Sequence, residues 1–143
     1  MKREGLTIIE TLIVIGILAI LFTIALGPGL RVLRGQQNKA SLESVRQMFW
    51  QGATAAASRN QTLQLSRSGT TFTIAPPNGA AVRTFEIATT TTVGLPDGVV
   101  ATFLPPGRVT LASGVSNPFT VQTNGQTYSI TVSLIGETQA TAP

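Results

Sequence analysis

The chain has no cysteine and no histidine, and charged residues make up only 11% of it. Without cysteine no disulfide staples the fold, and there is neither a thiolate nucleophile nor a thiolate metal ligand. Without histidine the commonest general base and the imidazole ligands of zinc are missing as well. Six acidic residues remain, spread singly along the chain with no Asp-x-Asp pairing of the kind that gathers hard cations. This inventory argues against an enzyme: no catalytic residue, metal, cofactor or small-molecule substrate is expected. The charged fraction is far below the roughly 25% of an ordinary soluble domain. Ser, Thr, Asn, Gln and Gly fill the polar positions instead, which suits an exported chain better than a cytosolic one.

What is present bounds the rest. A length of 143 residues gives room for one domain and little more. The formal charge of +4 comes from ten Lys and Arg against six Asp and Glu. The basic residues of the second part of the chain, Arg46, Arg59, Arg67, Arg83 and Arg108, are scattered singly. The high isoelectric point therefore reports scarce acids more than a nucleic-acid footprint.

One long apolar run stands out. Across residues 6–26 the clearly polar side chains are Thr7, Glu10, Thr11 and Thr23. As a helix rising about 1.5 Å per residue, this run spans roughly 30 Å, the thickness of a bilayer core. It is longer than the roughly 7 to 15 apolar residues of a secretory signal, and Pro28 would directly follow a cut after Ala25-Leu26-Gly27. A retained anchor is the better reading. Lys2 and Arg3 precede the run and Arg31, Arg34 and Lys39 follow it, so a simple count of flanking charges favours a cytoplasmic C-terminal side; a long downstream domain translocates largely regardless of such charge, and the count does not settle the orientation.

The residues ahead of the run carry a more specific signal. Lys2-Arg3-Glu4-Gly5 is a short charged leader ending in Gly, and Leu6-Thr7-Ile8-Ile9-Glu10 follows before the hydrophobics become unbroken. This arrangement closely resembles the class III signal of type IV prepilins and type II secretion pseudopilins. The resemblance implies cleavage by a prepilin peptidase between Gly5 and Leu6, with N-methylation of Leu6; the family's usual first residue is Phe, so Leu6 is a departure. It also implies a single-pass protein of the bacterial inner membrane with a cytoplasmic N-terminus and an extracytoplasmic C-terminal domain. Glu10 then has a proposed task. A carboxylate deep in a bilayer costs on the order of 2.5 to 3.5 kcal/mol and persists where it finds a partner. The α-amino group freed by cleavage of a neighbouring subunit, still cationic when methylated, is such a partner. In a filament core of low dielectric that pair would set axial register.

Beyond the run, Gly27, Pro28 and Gly29 are expected to break or kink the helix, because Pro removes a backbone donor and clashes with the preceding turn. The organisation expected is a leader over residues 1–5, a membrane-spanning assembly segment over 6–29, and an extracytoplasmic domain over 30–143. In that domain Leu42, Val45, Phe49, Gly52 or Ala53, and Ala56 form an apolar stripe at helical spacing. Glu43 can meet Arg46 one turn on, and Arg59-Asn60-Gln61 ends the helix with a cation and a residue suited to the left-handed cap. Trp50 cannot fully share the face of Phe49. The prevalence of buried aromatics favours ordinary packing, with the sheet edge or a neighbouring subunit as the alternatives.

After Gln61 the pattern alternates. Strands are expected over 62–66, 70–75, 82–88, 99–104, 109–112, 119–123 and 127–134, with Asn124-Gly125 as a two-residue hairpin turn. The fold class is α+β: a long N-terminal helix whose outer half packs on an antiparallel sheet, the architecture of the pilins. Within that family the stretch Ala55-Ala56-Ala57-Ser58-Arg59-Asn60-Gln61-Thr62-Leu63-Gln64-Leu65 resembles the helix-to-strand junction of the minor pseudopilins of the H type and their FimT-like pilus relatives. Phe103-Leu104-Pro105-Pro106-Gly107 resembles their F-x-P-x-G turn, in which Phe103 would plug the core while Pro105 and Gly107 shape the bend.

The function implied is that of a minor pilin or pseudopilin, a structural subunit assembled with other pilins into a type IV pilus or type II secretion pseudopilus. The alternative is a DNA-binding minor pilin of natural transformation. Those members carry a basic G-R-x-R segment after a late strand, where this chain reads Leu134-Ile135-Gly136-Glu137-Thr138, with an acid in place of the Arg. A nucleic-acid partner is thus possible but lacks a basic motif. An anchored hydrolase using a Ser-Lys pair would have to recruit Lys39, and no motif supports it.

Overall fold

A computed structural model describes residues 7–142, and of residues 24–31, which lie within a helix, it describes the backbone alone. One helix, α1 (Ile8–Arg59), is followed by β1 (Leu63–Ser68), β2 (Thr71–Ala75), β3 (Arg83–Glu86), β4 (Thr91–Val93), β5 (Gly98–Leu104), β6 (Arg108–Leu111), β7 (Phe119–Thr123), β8 (Gln126–Val132) and β9 (Thr138–Thr141). The fold is α+β with antiparallel sheets, as the periodicity implied. Its contacts divide the chain into two units, Met1–Gln37 and Asn38–Pro143.

Both ends of α1 are set by local chemistry. Thr7 caps the start: its Oγ1 accepts from the Glu10 backbone N–H at 3.4 Å, and its carbonyl accepts from Glu10 and Thr11 at 3.1 and 3.2 Å. At the other end Asn60 takes φ +48°. The Gln61 N–H reaches back to the Ala56 carbonyl at 3.2 Å and the Asn60 N–H to the Ala57 carbonyl at 3.3 Å. This is the paired bonding that closes a helix on a left-handed residue, with Asn in the place more often taken by Gly.

The helix break expected at Gly27, Pro28 and Gly29 does not divide α1, which continues through them as one element. Proline deletes one rung of the hydrogen-bond ladder, and the turns on either side carry a helix of this length past it. Among the described residues no helix is long and apolar enough to cross a membrane. The span expected over 6–29 falls partly outside the described residues, which exclude Leu6 and the side chains of 24–29.

In the second unit the strands form two sheets, in orders β3-β2-β1-β5-β6 and β4-β7-β8-β9. Only one sheet was expected. The second arises because β1 pairs with β5 across a long connection, which leaves β4 to pair with β7. β4 and β9 depart from the expected strands: β4 is three residues in a run of threonines, whose burial alternates without an apolar–polar alternation in the sequence, and β9 reads Thr-Gln-Ala-Thr with a single buried residue. The Asn124-Gly125 hairpin is present, with φ +48° and +79° at its two turn residues and Thr123 opposite Gln126. Positive φ at both positions is what a two-residue turn between right-twisted strands requires.

The core lies between the later turns of α1 and both sheets. Val45, Phe49, Ala53 and Ala56 are buried as their spacing implied, joined by Met48, and Leu42 packs at the margin. The Phe49 and Phe119 rings stand 6.0 Å apart at 37°. Phe103 is fully buried, and a Cβ added to Gly52 would fall 2.2 Å from its ring. Gly52 therefore keeps the helix surface open for the side chain that plugs the core.

Candidate functional site

Among the described residues, the first unit presents an apolar surface with no partner in its own unit. Eleven large apolar side chains between Ile8 and Phe22 are exposed, from 85% at Ile8 to 48% at Val14 and Leu18. They occupy every side of the helix rather than a stripe. A helix apolar all round is buried in a large assembly or in lipid, since full burial of each such side chain is worth roughly 1.5–3 kcal/mol. Thr11 and Thr23 return their hydroxyls to backbone carbonyls one turn back, Thr7 at 3.4 Å and Ala19 at 2.8 Å, so neither leaves a free hydroxyl on the apolar surface.

Glu10 sits in the first turn, exposed, and its carboxylate joins neither of the two ion pairs of the described residues. The pattern Thr7-Ile8-Ile9-Glu10 is a capping box, in which an acid three residues past the cap belongs to the start of a helix. The favourable end of the helix dipole lies there too. This local role at the helix start is compatible with an intermolecular one. Gly5 and Leu6, the expected cleavage and methylation positions, lie outside the described residues.

In the second unit a polar cluster grips the helix where the unit begins. Asn38 is 6% exposed; its Nδ2 donates to Gln126 Oε1 at 2.9 Å, and its Oδ1 accepts from Asn124 Nδ2 at 2.7 Å. Thr91 Oγ1 bonds both Ser41 at 3.0 Å and Thr123 at 3.1 Å. The β7–β8 turn and β4 are thereby tied to one helical turn. Arg67 does a similar task between the sheets. Its guanidinium donates to the Gly69 carbonyl at 2.8 Å, to Val93 at 2.9 Å and to Leu95, lies 5.7 Å over the Phe72 ring, and pairs with Asp97 at 3.7 Å. Neither Asn38 nor Arg67 carried any sequence signal, because their partners lie far away along the chain.

Trp50, the only tryptophan, is 60% exposed, which overturns the expectation of ordinary core packing. Phe49 and Ala53 take the core side of the helix, and Trp50 is turned outward by its place in the turn. Around it lie three hollows. One of about 510 Å³ is bordered by Ala57, Pro106, Arg108, Leu134 and Ile135. Another of about 560 Å³ is bordered by Gln51, Thr54, Arg59, Val82 and Arg83. The third, of about 190 Å³, holds Glu43, Arg46 and Glu137.

The turn after β8 builds part of this surface. The Ser133 N–H bonds the Glu137 carbonyl at 2.8 Å, the Glu137 N–H returns to Ser133 Oγ at 3.1 Å, and Gly136 has φ +80°. Gly136 presses on the helix, where a Cβ would come within 3.1 Å of the Phe49 carbonyl, and Leu134 and Ile135 project outward at 66% and 69% exposure. Residues 134–138 thus form a turn with an apolar tip, Leu134 and Ile135, beside the acid Glu137. The Pro-Pro-Gly turn faces the same helix: Gly107 has φ +116°, its N–H bonds the Leu104 carbonyl at 2.7 Å, and an added Cβ would lie 3.3 Å from the Ala53 carbonyl. The expected Glu43–Arg46 pair forms at 3.6 Å on the surface. Lys39 is exposed, and neither ion pair of the described residues involves it.

Comparison with family models, curated proteins and solved structures found no match to this chain.

Proposed function

We propose that the chain is a minor pilin or pseudopilin, an inner-membrane precursor that prepilin peptidase cuts after Gly5 and methylates at Leu6, and that then assembles with other pilins into a short filament. The observation that carries this reading is the exposed, all-round apolar surface of residues 8–23 placed ahead of an α+β head and bearing one carboxylate, Glu10. Such a surface is stable only when lipid or neighbouring helices cover it, and the two coverings correspond to the two stages of a pilin's life: bilayer first, filament core second.

Glu10 supports the same reading. In the precursor it lies near the membrane interface, where a carboxylate is tolerated. In the filament it would pair with the cationic α-amino group of the next subunit, so register depends on a group that exists only after the cut. The basic leader Lys2-Arg3, Gly5 and the spacing from Leu6 to Glu10 support cleavage at that bond.

Intact-mass and N-terminal analysis of the protein extracted from membranes tests the reading. The expected product begins at methylated Leu6 and lacks residues 1–5. A chain that begins at Met1, or after Gly27, would refute it.

A further inference from the structure

The two sheets of the second unit differ in charge. The strands of the five-stranded sheet carry Arg67, Arg83, Glu86 and Arg108, whereas β4, β7, β8 and β9 carry no charged residue. One side of this four-stranded sheet is given to the core: Val93, Phe119, Val121, Ile130 and Val132 are buried, and Thr91 and Thr123 on the same side bond each other and Ser41. The alternate positions make the outer side. They stand in rows across the strands, since residues directly opposite one another share a face. Thr120, Ser129 and Thr141 form one row. Thr92, Gln122 and Thr127 form a second, and Thr131 with Gln139 a third. All are exposed except Ser129, which is half-buried in the middle of the array. About a quarter to a third of a soluble surface is ordinarily Lys, Arg, Asp or Glu; here every position is a hydroxyl or an amide.

From this array we infer that the outer face of the four-stranded sheet binds an uncharged, extended polysaccharide, a β-linked glycan of the cellulose and chitin type lying across the strands. Strands lie about 4.8 Å apart, close to the length of one sugar ring in such a chain, so a row sets one polar side chain under each successive sugar. The Thr and Ser hydroxyls and the Gln amides both donate and accept, as the hydroxyls on the rim of a sugar ring do, and the Thr methyl groups meet the C–H face of the ring. The absence of charge is the complement of an uncharged ligand, and it disfavours other classes of partner. A nucleic acid is held by cations at its phosphates, and a protein interface is anchored by aromatic and arginine side chains; this face has none of these. Each neutral hydrogen bond replaces one to water and is individually weak. A long polymer that engages several rows at once is therefore favoured over a free sugar. The inference is independent of the filament reading, because it uses only one sheet face of the second unit.

The test is co-sedimentation of the full chain, in a detergent without a sugar head group, with amorphous cellulose and with colloidal chitin. Retention on at least one polymer is expected, insensitive to high salt, and the pair shows whether the acetamido group is needed. Soluble dextran, whose α-linkages do not hold the chain extended, should not compete. Joint replacement Thr120→Val, Thr131→Val and Thr141→Val keeps the β-branched shape and removes the hydroxyls; it should weaken retention at least about tenfold with no fall in thermal midpoint. Ser129→Asp should do the same by setting a charge in the middle of the array. Thr84→Val, on the exposed edge strand of the other sheet, should change nothing. No retention on either polymer would overturn the inference, as would full retention of the triple valine variant or an equal loss in Thr84→Val. Retention that high salt abolishes would overturn it in favour of an ion-pairing surface on the arginines.

Discussion

The two ends of α1 are made of similar residues and behave in opposite ways. Over residues 8–23 the apolar side chains are dense, unpatterned and exposed; over residues 42–56 they are fewer, spaced mainly by three and four and, apart from Trp50, buried or half-buried. Apolar content therefore does not decide burial within one chain. Pattern does: a stripe can be covered by a sheet of the same domain, whereas an apolar surface on all sides of a helix needs a surrounding medium.

That contrast can be broken in a definite order. Phe49→Ala should cost the second unit about 3–5 kcal/mol, since the ring is fully buried against Phe119; chemical denaturation of the full chain in detergent measures it. Gly52→Ala should cost about 2–3 kcal/mol by driving a methyl group toward the Phe103 ring, and a change under 1 kcal/mol would mean that the ring has room to move.

Glu10→Gln should reduce incorporation into filaments by at least about tenfold, while leader cleavage continues. Gln keeps the backbone N–H that Thr7 Oγ1 accepts from and suits the same capping position, so this variant removes the charge and keeps the cap; normal incorporation would show that the charge of Glu10 is not needed for assembly. Ile15→Ala should shift the unfolding of the second unit by less than about 0.5 kcal/mol, because its side chain, 60% exposed, contributes nothing to that core. A loss near that of Phe49→Ala would erase the distinction between the two ends.

Trp50 and Arg67 show how far sequence reading reaches into the candidate site. Position 50 follows a core phenylalanine, and helical geometry says that it points elsewhere. Whether elsewhere meant a sheet edge or solvent depended on where β6 and the turn after β8 came to lie. Arg67 is one basic residue among ten in the sequence, and only the approach of Val93 and Leu95 turns it into a tie between the sheets.

What the sequence determined by itself is local in origin. The cap at Asn60, the hairpin at Asn124-Gly125, the apolar stripe from Leu42 to Ala56 and the Thr7–Glu10 start of the helix each rest on residues within a few positions of one another, where backbone conformation and side-chain spacing decide. The tertiary structure alone decided the division into two sheets, the Asn38 cluster, the place of Arg67 and the exposure of Trp50. Each of these depends on which distant strands pair, and pairing is a competition among many similar Val- and Thr-rich segments that is settled by the packing of the whole core.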